Sequence, residues 1–376
     1  MQLFDVYPLF DIELVKAQGI YLWDEKGQKY LDLYGGHAVI SIGHSHPHYV
    51  RKIKEQLDKI AFFSNSIQNS LQKELAQKLG QLSGYEDYQL FFCNSGAEAN
   101  ENALKLASFY NQRKKIVAFD RSFHGRTSAA VAVTDNPKII APINASHEVI
   151  KLPFDEPDLL EETLNEGDVS SVIIEGIQGV GGVYAASAEF MQSLSLLCKK
   201  YDTLLILDEI QSGYGRSGKF FAHQYAAIQP DLITVAKGMG NGFPMGGVLI
   251  HPGLKPWHGM LGTTFGGNHL GCAAGIAVLD IIKEENLMQN ALNTGNYLKE
   301  KLSEIQPIKA LRGAGLMLGI EFDFEVKEIR KQLLMDYFIF TGASGNHVIR
   351  LLPPLGMTLE EADIFIVALK SVLKIN

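Results

Sequence analysis

A single lysine, Lys237, ends the apolar run Leu232–Ala236 and opens a glycine-rich stretch, KGMGNGFPMGG. An ammonium at the mouth of a buried strand is costly unless it has a partner or reactive work. Other residues that could do chemistry also stand just after apolar runs. Asp208 closes TLLILD, with Glu209 and Gln211 behind it. A carboxylate there could hold a cation or a protonated ring nitrogen, or cap a helix. Phe123 and Arg126 follow KIVAF. An aromatic face and a guanidinium can stack on a ring and clasp a carboxylate, although a surface loop would carry the same residues. In FFCNSGAEANENALK a strand, a turn and a helix follow one another, and Ser95 and Glu98 fit an S-x-x-E capping box. Gly96 and Ala97 then present bare backbone N–H groups at a helix N-terminus, which suits phosphate, though an ordinary capped helix has the same pattern. GTTFGGNH supplies Thr263 and Thr264 in a glycine-rich loop, and NHVIRLLPPL supplies Arg350, for which a structural salt bridge is the alternative role.

Two patterns carry less. GHSHPH sets His44, His46 and His48 at alternate positions, but Pro47 interrupts and no carboxylate or cysteine is near in sequence, so no metal site is expected. Gly213, four residues, Gly218 and Lys219 approach a phosphate-binding loop. Phe220 then stands where a Ser or Thr would hold magnesium. The G-x-S-x-G and H-E-x-x-H patterns are absent.

The 376 residues carry a formal net charge of −8, with 46% hydrophobic and 20% charged residues. That balance argues for a soluble globular protein and against a nucleic-acid or anionic-membrane partner. Three cysteines, Cys93, Cys198 and Cys272, suggest no disulfide framework, and a reducing cytoplasm is the expected location. The N-terminus MQLFDVYPLF lacks a basic segment and does not read as a signal peptide.

The elements that must position these residues read as an α/β layer fold. Tyr88–Cys93, Lys115–Phe119, Ser171–Glu175, Thr203–Asp208 and Asp231–Ala236 are short and too apolar for half-exposed strands, which suits a parallel sheet covered on both faces. Glu98–Tyr110 and Ala188–Tyr201 are helical between them. The first 45 residues read as a β-meander. The C-terminal third has amphipathic helices over Gly271–Glu285 and Asn293–Ile305, short strands near GLMLGIEF and a last helix after Thr358. The expected division is a large domain over 46–270 and a smaller α+β domain built jointly from 1–45 and 271–376. In such sheets ligands bind at the carboxyl ends of the strands.

A lysine amine, a carboxylate for a ring nitrogen, an aromatic plate, a phosphate cradle and two arginines together equip a site for pyridoxal phosphate. The chain resembles the class III aminotransferases, of the fold-type-I pyridoxal-phosphate superfamily, through YLDLYGGHAVISIGHSHP, NSGAEANENALKLA, FHGRT, LDEIQSGYGRSG, AKGMGNGFPMGG, GTTFGGN and RLLPPL. Within that family it is most similar to the branch acting on acylated ornithine in arginine biosynthesis. The resemblance implies that Lys237 bonds the cofactor aldehyde and shuttles the substrate proton, and that Asp208 keeps the ring nitrogen protonated. It implies that Gln211 bonds the ring hydroxyl, that Phe123 stacks on the ring, and that Ser95, Gly96 and Ala97 bind the phosphate. Thr264 would reach that phosphate from the other subunit of a homodimer with shared sites. Arg126 would bind the α-carboxylate of the donor, with Thr263 beside it, and Arg350 the α-carboxylate of glutamate. The implied reaction passes the terminal amine of N-acetyl- or N-succinylornithine to 2-oxoglutarate. Ornithine, 4-aminobutyrate or succinyl-diaminopimelate are alternative donors, and a non-catalytic ligand-binding protein on the same scaffold is the remote alternative.

One position departs from the pattern. In EGIQGVGGV the family places a glutamate after Gln-Gly, where it masks the arginine equivalent to Arg350; this chain has Val180. The departure implies either an acidic acyl group on the substrate or masking by another acid. His269 stands where the family usually has proline, with no function attached.

Overall fold

The computed structural model describes residues 1–375. Strands β1 (Leu14–Gln18), β2 (Tyr21–Asp24) and β3 (Lys29–Asp32) form an antiparallel meander. The central sheet comprises β4 (Gln89–Cys93), β5 (Lys115–Phe119), β6 (Val149–Leu152), β7 (Val169–Glu175), β8 (Leu204–Asp208), β9 (Leu232–Val235) and β10 (Gly246–Ile250). Its spatial order is β4-β10-β9-β8-β7-β5-β6. The pairs from β9 through to β6 are parallel. β10 runs antiparallel to both β4 and β9, so the sheet is mostly rather than wholly parallel.

The near-continuous apolar runs of these strands follow from burial on both faces. Val117, Phe119, Val172, Ile174, Leu205 and Leu207 pack on one side, with Phe190 and Leu194 of the helix Ala188–Lys200. Ile116, Ala118, Ile173, Leu204 and Ile206 pack on the other, with Ala103 and Leu104 of the helix Gly96–Asn111. Alternate residues thus serve opposite layers, as the two-residue period of a strand requires. Each buried Val, Leu or Ile contributes roughly 1.5–3 kcal/mol.

The C-terminal third adds β11 (Ala310–Ala314), β12 (Met317–Glu321), β13 (Ile339–Phe340), β14 (Gly342–Ser344) and β15 (Val348–Leu351). Four of them form an antiparallel sheet ordered β11-β12-β15-β14. β13 instead pairs in parallel with β3, joining the two ends of the chain in one sheet. That pairing supports the division into 46–270 and joined flanks, which we propose as the domain organisation. The helix expected from Asn293 begins at Leu287 and runs to Ser303. The last helix, Leu359–Val372, opens on a full capping box between Thr358 and Glu361.

Candidate active site

The carboxyl ends of β7, β8 and β9 meet at a cavity of about 410 Å³. Lys237, Asp208, Phe123, Arg126, Gln211 and the Ser95–Ala97 turn all line it. Lys237 follows the end of β9 and takes a left-handed backbone, φ 43°. A non-glycine residue there stores strain of order 1 kcal/mol, which marks a position fixed for use. No hydrogen-bonding partner among the described residues bears on its amine, and burial lowers its pKa below the ordinary lysine value. The charges of Asp208 and Glu175 oppose that shift, and Arg350 reinforces it. The result is an amine biased toward the neutral, nucleophilic form.

Asp208 ends β8 and is 4% exposed. Its Oδ2 accepts from Asn100 Nδ2 at 2.8 Å and from His124 Nδ1 at 2.7 Å, while Oδ1 takes only the Ile210 N–H at 3.1 Å. The carboxylate is therefore pinned from behind and keeps accepting capacity on Oδ1. It caps no helix. Glu209, its neighbour, turns away into a buried knot with Ser212, His223 and the Ala222 N–H.

The Ser95 turn only half fits the expected capping box. Ser95 Oγ accepts from the Glu98 N–H at 3.2 Å, but the Glu98 carboxylate reaches past Ser95 to the Asn94 N–H at 3.0 Å and to Asn94 Nδ2 at 2.8 Å. The N–H groups of Gly96 and Ala97 enter no hydrogen bond among the described residues. A Cβ on Gly96 would lie 2.8 Å from the Ile210 side chain, so only glycine lets the helix start this close to the segment after β8.

These features fit pyridoxal phosphate. The free N–H pair at a helix N-terminus suits the phosphate. The buried Oε1 of Gln211, which has no partner while Nε2 donates to the His37 carbonyl at 3.3 Å, suits a hydroxyl donor. Phe123 forms a wall, and Lys237 and Asp208 belong to the same cavity.

The outer residues lie differently. Arg126 is exposed at the cavity edge. Thr263 Oγ1 accepts from the Gly266 N–H at 3.0 Å and from Asn94 Nδ2 at 3.3 Å, which ties its loop to the Ser95 turn. Thr264 is exposed and lies outside the cavity wall. Arg350 is 4% exposed and makes no salt bridge among the described residues. Its Nε donates to the Ala343 carbonyl at 2.8 Å and its Nη1 to the Gly179 carbonyl at 2.9 Å. Val180 forms part of the cavity wall, and the one carboxylate whose charge bears on Arg350 is Glu175.

Glu175 is a site residue that the sequence reading passed over. It ends β7 directly opposite Asp208. Oε1 accepts from the Phe123 N–H at 2.9 Å and Oε2 from the Gly179 N–H at 2.8 Å. One carboxylate thus fixes both the aromatic wall and the loop that holds Arg350. Its place at the end of an apolar strand is the same signal that marks Asp208. Asn100 and His124, which pin Asp208, were also missed; Asn100 is fully buried on the Ala/Leu face of its helix, where an amide needs a reason. The three histidines separate: His44 meets Asp32 at 2.8 Å, His46 meets Glu285 at 2.8 Å and His48 faces Asp280 at 3.8 Å. Their carboxylates are distant in sequence. No cluster of three metal-ligand residues is found among the described residues.

Comparison with known proteins agrees with this geometry. Residues 5–373 match the model of the family described as aminotransferase class-III. An acetylornithine aminotransferase of Bacillus subtilis (strain 168) is 44% identical, over 96% of this chain and 94% of the relative. The solved acetylornithine aminotransferase of Elizabethkingia anophelis superposes with a TM-score of 0.84 at 32% identity, covering 98% of this chain and 95% of its own. An ornithine aminotransferase from Toxoplasma gondii, solved with partial occupancy of PLP at its active site, gives a TM-score of 0.89 at 27% identity, covering 98% and 91%. With a lysine, a pinned carboxylate and an open N–H cradle converging at the strand ends, the chain belongs to the class III aminotransferases, enzymes that work with pyridoxal phosphate.

Proposed function

We propose that the protein transfers the terminal amino group of an N-acylornithine, acetyl or succinyl, to 2-oxoglutarate, yielding the semialdehyde and glutamate on a route to arginine. When bound, pyridoxal phosphate supplies an aldehyde carbon that accepts the amine and a conjugated ring that draws off electron density. Lys237 Nζ, whose burial favours the neutral amine, would take the proton from the carbon bearing the amine and later return one. Asp208 would keep the ring nitrogen protonated, with Oδ2 kept still by Asn100 and His124. Gln211 Oε1 would accept from the ring hydroxyl, Phe123 would cover the ring, and Ser95, Gly96 and Ala97 would take the phosphate. Arg126 binds the donor α-carboxylate with Thr263 beside it, and Arg350 binds the acceptor α-carboxylate.

The reading is carried by one observation: the unpartnered Lys237 amine lies in the same cavity as the pinned Asp208 carboxylate and Arg126, with Arg350 held on the Gly179 carbonyl next to the cavity-lining Val180. The acylornithine donor is supported by relatives named acetylornithine aminotransferase. We further propose a cytoplasmic homodimer with shared sites, in which Thr264 serves the partner's phosphate. No helix is long and apolar enough to cross a membrane.

A donor panel with 2-oxoglutarate as acceptor tests this reading. Glutamate should form fastest from an N-acylornithine, and Lys237→Ala should lose both turnover and the visible absorption of the cofactor-loaded protein. Preference for free ornithine or 4-aminobutyrate would overturn the donor assignment.

A further inference from the structure

We propose that Arg330 joins Arg350 to form a carboxylate-binding site that reads an acidic acyl group on the amino donor; the proposal rests on the N-acylornithine reading and selects the succinyl-type donor within it. Arg330 lies in the helix Lys327–Met335, and its Nη2 donates to the Thr341 carbonyl at 2.8 Å. Its Nε is buried without any partner. Arg350 donates to the Ala343 carbonyl, two residues further along the same segment. Two residues of extended chain span roughly 7 Å, so both guanidiniums grip one short stretch of backbone.

Neither cation has a carboxylate hydrogen-bonded to it among the described residues, and each side chain is more than half buried. Burial is the main cause that lowers the pKa of each, and the charge of Arg330 lowers that of Arg350 further. Carbonyl contacts satisfy some N–H groups but neutralise no charge. Two desolvated like charges, with Glu175 the one carboxylate bearing on Arg350 and none bearing on Arg330, are poorly compensated unless an anion binds. The ring of Tyr34 lies against Gly342, and its hydroxyl feels both guanidiniums.

The cluster also connects to the reacting centre. The Tyr34 hydroxyl is 2.7 Å from His37 Nε2, and the His37 imidazole feels the charges of both Arg350 and Lys237. The main chain of His37 accepts from Gln211. A loop of four residues, Tyr34 to His37, therefore runs from the arginine pair to the cofactor side of the cavity. Val180 on that wall offers no acid in place of a substrate carboxylate. An acetyl cap brings a methyl and a carbonyl, which leave Arg330 unpaired. A succinyl cap brings a second carboxylate, which the planar guanidinium fork matches.

The test uses two unreactive analogues, N-succinylnorvaline and N-acetylnorvaline, which lack the terminal amine, titrated into cofactor-loaded protein by calorimetry. The wild type should bind the succinyl analogue about tenfold tighter or better, the scale of one charge-assisted contact. Arg330→Gln should bring the two analogues within about threefold, and Arg330→Lys should fall between. Unchanged cofactor absorbance certifies that the variants are folded. Should Arg330→Gln not fold, Arg330→Lys carries the test, with discrimination equal to the wild type overturning the proposal. Equal binding of the analogues by the wild type, or discrimination unaltered in Arg330→Gln, overturns the proposal. Arg330-dependent discrimination without turnover of either acylated donor would support the anion site and defeat the proposed reaction instead.

Discussion

At the scale of single residues, the site is a set of charges whose values depend on one another. Glu175 is held by two backbone N–H donors, yet burial and the neighbouring Asp208 charge outweigh them and push its carboxyl up to about 7. A carboxyl raised above its unfolded value keeps its proton longer in the folded chain. Its contribution is full below the unfolded value and is lost as pH rises through the folded one. Cofactor-free protein should therefore lose stability between about pH 4.5 and about pH 7, by no more than a few kcal/mol, and Glu175→Gln should flatten that part of the profile. Denaturant midpoints across the range measure it; an equal slope in the variant would assign the titration to another group. The same residue explains why part of the site was hard to read. Lys237 and Asp208 are conspicuous because a charge closes an apolar run. Glu175 closes one too, but its partners are backbone amides of Phe123 and Gly179, more than fifty residues upstream and four downstream, which no side-chain pattern announces.

Among the elements, what the sequence exposes is burial, and what it hides is pairing. Lys115–Phe119 is legible residue for residue because both faces of β5 are covered. β6 is short and contains Lys151, whose amine is used by the Thr134 carbonyl and Asp135, so its run looks too polar. β10 opens on two glycines, which carry little strand propensity, and its antiparallel course is set by its neighbours alone. The loop after β7 is likewise a tertiary product. A Cβ at Gly179 would fall 1.9 Å from Gln211 Oε1, while the Gly179 carbonyl anchors Arg350. Gly179→Ala should force Gln211 and this loop apart, with a loss of about 1–3 kcal/mol from overpacking. Because Arg350 moves with the loop, KM for 2-oxoglutarate should rise several-fold while the Lys237 link to the cofactor still forms. Steady-state kinetics and the visible spectrum separate the two effects, and an unchanged KM would mean that the loop does not position Arg350.

On the scale of the whole molecule, one surface is out of keeping with an isolated chain. Phe62, Phe63, Ile67 and Phe265 are each 41–62% exposed, and the Phe62 and Phe265 rings lie 5.4 Å apart. Asn65 binds the Thr263 and Gly266 carbonyls, so this apolar patch and the threonine loop form one unit. Exposed aromatic clusters of this kind mark association surfaces. If the proposed dimer covers the patch, Thr264 is carried out of its own subunit and toward the partner's phosphate. Charging the patch with Phe265→Asp should then yield monomers by light scattering and weaken cofactor binding, although Phe265 lies outside the cavity wall. A sharper test mixes two inactive or weakened chains, Lys237→Ala and Thr264→Ala. In a shared-site dimer, the heterodimer regains one complete site, with Lys237 from one chain and Thr264 from the other. Mixing should restore tight cofactor binding in about half of the heterodimer's sites. If Thr264 served its own chain, no complete site could form by mixing. An absence of recovery in verified heterodimers would therefore return Thr264 to its own subunit and remove the shared site.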